Sequence, residues 1–299
     1  MVRNRYFSVL IISAVIMVIL ACTSFVPADT ASSSRGSILY VSDASGNFEI
    51  YHLYIGSSDP IRLTNNTSDE ASLFYIPESL RIGYVSDKTG KYQVYTATLT
   101  GADETAWLKN DSRIFGTPVI SPDGSQMAYV IQDASGGSDL YLANPDGSNE
   151  QILTKGSSQD WDPSWSPDGR QIVYISDTDG DWEIYKITVA DGKIIRLTDN
   201  DSYDGHPRWS PDGKWVLFDT DSGGDWEIHI MDIYGEHARP LTENSSADWM
   251  PSWSPDGEWI VYVSSRDGDD EIYIVDAEGR NQMKITDNNS QDWFPVWIP

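Results

Sequence analysis

Cysteine is nearly absent: the chain of 299 residues holds one, Cys22. No disulfide can form within it, so the fold must hold by packing. Histidine is scarce as well. His52, His206, His229 and His237 are scattered along the chain and make a weak set of metal ligands. Basic residues are few, with 20 Lys and Arg against 46 Asp and Glu and a net charge of −26. Such a chain repels nucleic acid and anionic lipid surfaces, which excludes both as partners. No tract of like charge is long enough to be a tail, and the Gly-x-Ser-x-Gly pattern of a serine hydrolase elbow is missing.

Aromatic residues are abundant at 12%, with 12 Trp and 16 Tyr. Broad rings pack well on pleated surfaces, so this composition favours strands over disorder.

The first residues read as an address. Arg3 and Arg5 precede an uncharged run from Tyr6 to Ala21, the layout of a secretory signal. The run is about one to four residues short of a comfortable transmembrane span. It stops at Ile19-Leu20-Ala21-Cys22, which resembles the bacterial lipobox. The expectation is a lipoprotein signal peptide over 1–21, lipid on Cys22, and a flexible tether of small polar residues over 22–35. An uncleaved N-terminal anchor is the alternative. Both place the remainder outside the cytoplasm, on a membrane of the cell envelope.

From Gly36 onward the chain repeats. Ser-Pro-Asp-Gly recurs at Ser121, Ser166, Ser210 and Ser254, with Pro77-Glu78-Ser79 as a worn copy. The aromatic strand anchors are Tyr51, Tyr95, Tyr141, Tyr185, His229 and Tyr273, and Leu-Thr or a relative recurs from Leu63 to Ile285. A unit of about 44 residues with short strands between turns is a propeller period. One unit yields four strands: A at Pro163–Trp165, B at Gln171–Ile175, C at Trp182–Ile187 and D at Ile194–Thr198. The region 36–299 is 264 residues, six units of 44. It begins at a B strand and ends on an orphan A strand, Phe294–Trp297. The predicted fold is therefore all-β: a six-bladed β-propeller of four-stranded antiparallel blades, closed by pairing the C-terminal strand with the N-terminal blade.

The string Asp-x-x-Pro-x-Trp-Ser-Pro-Asp-Gly, followed by Ser-Asp-x-x-Gly-x-x-Glu-Ile-Tyr, resembles the WD-like repeat of TolB-type propellers and covers nearly all of 36–299. The resemblance implies a binding scaffold. TolB proteins carry an α/β domain before the propeller and bind a peptidoglycan-associated lipoprotein through it. The expected form here is a lipoprotein without that domain.

Strand parity assigns the chemistry. With antiparallel strands, the A–B and C–D turns share one face, and the B–C loops and D–A connections share the other. The second face carries Asp160, Trp161, Trp182, Asp204, Trp226, Asp248, Trp249, Asp292 and Trp293. These are the candidate partner-binding residues, for a protein or glycan that supplies basic or sugar-like groups. The competing reading is structural, because Asp bonds nearby backbone amides in turns. Trp165, Trp209, Trp253 and Trp297 read as core. Asp177, Asp179 and Asp181 are weak calcium candidates, and no other metal or cofactor is expected. The alternative function is a carbohydrate-active enzyme, lyase or glycoside hydrolase, using His206 or a carboxylate pair on the same face. The chain is expected to be monomeric.

Overall fold

Turn chemistry and strand pattern build one four-stranded unit, repeated six times. The computed structural model describes residues 36–107, 114–133 and 136–299. The expectations for residues 1–21, Cys22 and 22–35 lie outside the described residues. Blade 4 shows the unit: strand A is Asp160–Trp165, B is Gln171–Ser176, C is Glu183–Thr188 and D is Ile194–Arg196, all antiparallel. Six such sheets form. The A strands of blades 2, 3, 5 and 6 are Glu70–Ile76, Ile114–Ile120, Asp204–Trp209 and Asp248–Trp253.

Blade 1 combines Ser37–Ser42, Glu49–Tyr54 and Ile61–Arg62 with the C-terminal strand Asp292–Ile298 as its A strand. Ser37 lies opposite Ile298, and Ser42 opposite Asp292. The orphan strand thus closes the ring, as its sequence predicts. Each A strand packs on the A strands of both neighbouring blades, while D strands pack chiefly on their own C strand. The A strands therefore line the centre and the D strands form the rim.

The core lies between blades. Ile38, Tyr40 and Leu53 of blade 1 pack with Val261, Val263, Ile272 and Ile274 of blade 6, and equivalent clusters fill the other junctions. Trp165, Trp209, Trp253 and Trp297 are buried. The Trp165 and Trp253 indoles donate to Val119 and Arg208 carbonyls of the preceding A strand. Every blade also holds a cross-strand aromatic pair between B and C, such as Tyr174 with Tyr185 at 5.9 Å. In blade 5 the pair is Phe218 with His229 at 5.6 Å. His229 is thus a core residue, and burial lowers its pKa.

The Ser-Pro-Asp-Gly turns close the A–B hairpins. In blade 4 the Ser166 hydroxyl donates to Asp168 at 2.7 Å and accepts the Gln171 amide at 3.0 Å. Gly169 takes φ of +69°, which a side chain would oppose.

Strand A differs from expectation. It starts at Asp160, three residues before Pro163, and is interrupted by a bulge. Trp161 pairs with Ile175 and Ser164 with Val173, so two residues face one. The bulge absorbs Pro163, which has no amide to offer the ladder. The residue before it takes positive φ: Asp162, His206, Met250 and Phe294 lie at +45° to +54°. The A strands thus carry a ring of left-handed residues around the centre.

Candidate functional site

The four aspartates predicted for the second face begin the A strands and turn inward. Asp160, Asp204, Asp248 and Asp292 are all buried. Asp160 accepts the Ser176 hydroxyl at 2.6 Å. Asn200, Asn244 and Asn288 amides donate to Asp204, Asp248 and Asp292 at 2.7, 2.7 and 2.8 Å. Arg266 adds a contact to Asp248 at 2.8 Å. Burial raises the pKa of Asp160 and Asp292, and pushes Asp204 up to about 6. These carboxyl groups hold loops together and offer no free surface to a partner.

The B–C loop aspartates clamp the next connection. Asp177 accepts the Gln159 amide at 2.8 Å, and Asp221 accepts the Tyr203 amide at 2.8 Å. Asp179 accepts the Tyr185 hydroxyl at 2.5 Å and pairs with Arg196 at 3.0 Å. Asp177, Asp179 and Asp181 are therefore not drawn into one ligand set. Among the described residues, the one group of three with donor atoms within 4.8 Å of one another is Asp232, Glu236 and His237, in a C–D turn on the opposite face. Its His237–Asp232 bond of 2.9 Å has a counterpart in blade 6, where Asn281 donates to Asp276 at 2.8 Å. That equivalence marks a turn-closing bond.

The tryptophans of the face are half-buried. Trp161 packs into two inter-blade clusters, and Trp249 and Trp293 into the cluster between blades 6 and 1. The Trp293 indole donates to Asp270 at 2.8 Å, and its ring stacks on Phe48 at 4.9 Å. Trp182 and Trp226 are brought together by Tyr203, whose ring lies 5.7 Å from the first and 5.1 Å from the second. The sequence reading named both tryptophans but not Tyr203.

The sharpest break in the repeat is beside this aromatic group. At the second position of strand A, paired with the fifth of strand B, blades 4, 6 and 1 have Trp161–Ile175, Trp249–Val263 and Trp293–Val41. Blades 2 and 3 have Ala71–Val85 and Ile114–Ile131. Blade 5 has Gly205–Asp219. Asp219 is fully buried. Its Oδ2 lies 2.7 Å from His206 Nδ1 and accepts the Met250 amide of blade 6 at 2.8 Å. Among the described residues, its Oδ1 has no hydrogen-bond partner. Burial alone would lower the His206 pKa, but the Asp219 carboxylate outweighs it and raises the value. The His206 side chain remains 20% exposed. Beside it, Arg208 pairs with Asp162 of blade 4 at 3.1 Å. The A strand of blade 5 thus carries an imidazole and a guanidinium each paired with a carboxylate, next to the group of Trp182, Tyr203 and Trp226. His206 was legible as a candidate. Asp219 was missed, although it is the one acid in a column of Val and Ile across the repeats.

Comparison with known proteins follows the same lines. The chain is 31% identical over 168 residues to a protein TolB homolog of Chlorobaculum tepidum, covering 53% of this chain and 37% of that one. It is 37% identical over 71 residues to a Tol-Pal system protein TolB of Xanthomonas campestris pv. campestris, covering 23% of this chain and 16% of that protein. The match thus spans little more than a third of these relatives' length at most. The crystal structure of TolB from Acinetobacter baumannii superposes with a TM-score of 0.77 at 24% identity, over 88% of this chain and 66% of that one. The sequence profile of the TolB beta propeller domain (PD40) matches residues 102–299, and with the six closed blades this makes the chain a member of the TolB β-propeller family.

Proposed function

We propose that this propeller is a protein-binding module of the bacterial cell envelope, anchored by lipid on Cys22, whose partner docks on the B–C loop face over blades 4 to 6. The observation that carries the reading is blade 5. Burying a carboxylate where the other five blades place an apolar pair costs several kcal/mol. Its bond to the Met250 amide of blade 6 offsets part of that cost. The carboxylate orients His206, with Arg208 beside it, next to three aromatic rings that offer contact area. The relatives named for the Tol-Pal system support a protein partner at the envelope. The partner-facing residues of the reading are Trp182, Tyr203, Trp226, His206 and Arg208, with Trp161, Trp249 and Trp293 as partly exposed neighbours. Asp160, Asp204, Asp248 and Asp292 act behind them by fixing the loops.

The test is affinity capture from envelope extract by the full chain, compared with His206→Ala plus Trp226→Ala. The expected result is capture of one protein, reduced at least about tenfold by the double substitution while circular dichroism stays unchanged. Capture unaffected by the substitutions would place binding elsewhere. Turnover of a polysaccharide that disappears with His206→Ala would favour the enzymatic alternative. For the anchor, Cys22→Ala should release the protein from membranes into the soluble fraction.

A further inference from the structure

Blade 1 is assembled from both ends of the described chain, and both of its flanks bury paired acids. Glu49 meets Glu70 at the junction of blades 1 and 2, and Glu271 meets Asp292 at the junction of blades 6 and 1. The partners stand 21 residues apart in each case, one opening strand C and the other opening the next strand A. All four are at most 1% exposed. Within each pair one asparagine bridges the two carboxyl groups: Asn66 donates to both Glu49 and Glu70, and Asn288 to both Glu271 and Asp292. Among the described residues, Glu49 Oε2, Glu70 Oε2 and Asp292 Oδ1 have no hydrogen-bond donor. Two carboxylates cannot bond to each other, since both only accept. One proton on either oxygen makes a donor and satisfies both.

The surroundings leave that proton a place. Around the first pair, Arg62 contacts Glu49 at 2.7 Å, the Asn66 amide donates to Glu49 at 2.7 Å, and Ser86 and Asn66 side chains donate to Glu70 at 2.9 and 3.0 Å. Asn47 and Thr64 also face Glu49, and Tyr84 faces Glu70. Around the second pair, Lys284 lies 3.7 Å from Glu271 but closer to Asp267 and Asp287, at 3.1 and 2.5 Å. The Asn288 amide donates to Glu271 at 2.6 Å and its side chain to Asp292 at 2.8 Å. Ser42 and Thr286 face Asp292, and Tyr40 faces both acids. Each site therefore sets two acids against one base, and among the described residues no cation touches Glu70 or Asp292. Two related pairs differ: Arg266 sits on Asp248 beside Glu227 at 2.8 Å, and in the pair of Glu183 with Asp204, where Arg196 lies 2.8 Å from Glu183, burial pushes Asp204 up only to about 6.

We propose that ring closure is proton-linked: one proton shared within each carboxyl pair latches blade 1 to its two neighbours, and its loss on raising the pH through neutrality loosens that blade. Burial pushes Glu70 and Glu271 each up to about 7 and raises Asp292. Glu49 goes the other way: burial opposes its charge, but donors from Thr64, Asn66, Arg62 and Asn47 prevail. The direction of the effect follows. A folded pKa raised from 4.5 to about 7 gives stability that is complete below about 4.5 and is lost as pH rises through about 7. In that window the folded state holds protons the unfolded chain has released.

The experiment is urea unfolding of the full chain in detergent from pH 5 to 8, in 1 M salt to screen surface repulsion. Wild type, Glu70→Gln, Glu271→Gln and the exposed control Glu243→Gln are compared. The glutamine amide donates permanently, so each latch variant should lose about tenfold per pH unit of the folding constant's dependence, one proton's share. The control should keep it all. Hydrogen exchange, corrected for intrinsic rate, should show residues 292–298 opening faster in wild type at pH 8 than at pH 6, and not in Glu271→Gln. Latch variants with the full wild-type slope would overturn the proposal. So would calcium raising stability at pH 8 in wild type but not in Glu271→Gln, since a cation would then bridge the carboxylates. Should one variant fail to fold, the other flank's variant gives the same reading.

Discussion

Asp219 and Gly205 depend on each other. A Cβ built on Gly205 would lie 2.7 Å from Asp219 Oδ1 and 3.1 Å from the Tyr203 ring, too close for either to remain in place. Gly205→Ala should therefore destabilise the protein by about 1–3 kcal/mol, the usual range for overpacking. Val at 219, as in blade 6, removes the offending oxygen, so the same substitution in an Asp219→Val background should cost less by at least about 1 kcal/mol. Urea unfolding of the four proteins in this cycle checks the coupling. Equal cost in both backgrounds would mean that the glycine serves Tyr203 alone. The chemistry of this site was half legible. His206 stood out as a rare residue on the right face. Asp219 lies inside a strand of apolar pattern, and only comparison of equivalent positions along the repeats reveals it.

At the scale of elements, the worn turn of blade 2 shows what the repeat requires. Here a single 3-10 turn over Pro77–Ser79 replaces Ser-Pro-Asp-Gly, and the Leu80 amide donates back to Pro77 at 3.2 Å. Leu80 takes the glycine's left-handed conformation, with φ of +52°, and its side chain is exposed. An L side chain there costs about 1 kcal/mol and gains no packing in return. Leu80→Gly should raise stability by about 0.5–1 kcal/mol, read as a higher melting temperature; an unchanged or lower value would show that Leu80 makes a contact that matters. The same scale explains where strand boundaries were misjudged. The sequence shows Asp160, Asp204, Asp248 and Asp292 three residues before proline, which reads as a turn. The bulge lets strand A continue through that proline, so these aspartates become the buried first residues of strands. A bulge leaves no signature in apolar alternation, because it is the interruption of that alternation.

For the whole molecule, blade number and closure were legible because both follow from counting: six anchors, a period of about 44 residues, and an orphan A strand at the C-terminal end that matches the A strand the first blade lacks. The register of Ser37 against Ile298 is what that count predicts. The carboxyl pairs were not legible, although Glu-to-acid spacing of 21 residues recurs, because burial decides their chemistry and burial belongs to the ring as a whole. The central claim is that a protein partner docks on the B–C loop face near blades 4 to 6. Site-specific photo-crosslinking in intact envelopes tests it most directly, with a photoreactive phenylalanine analogue at position 226 or, on the opposite face, at position 234, where Tyr234 is 72% exposed. The account predicts a discrete protein adduct from position 226 and none from 234. An adduct from 234 alone would contradict it.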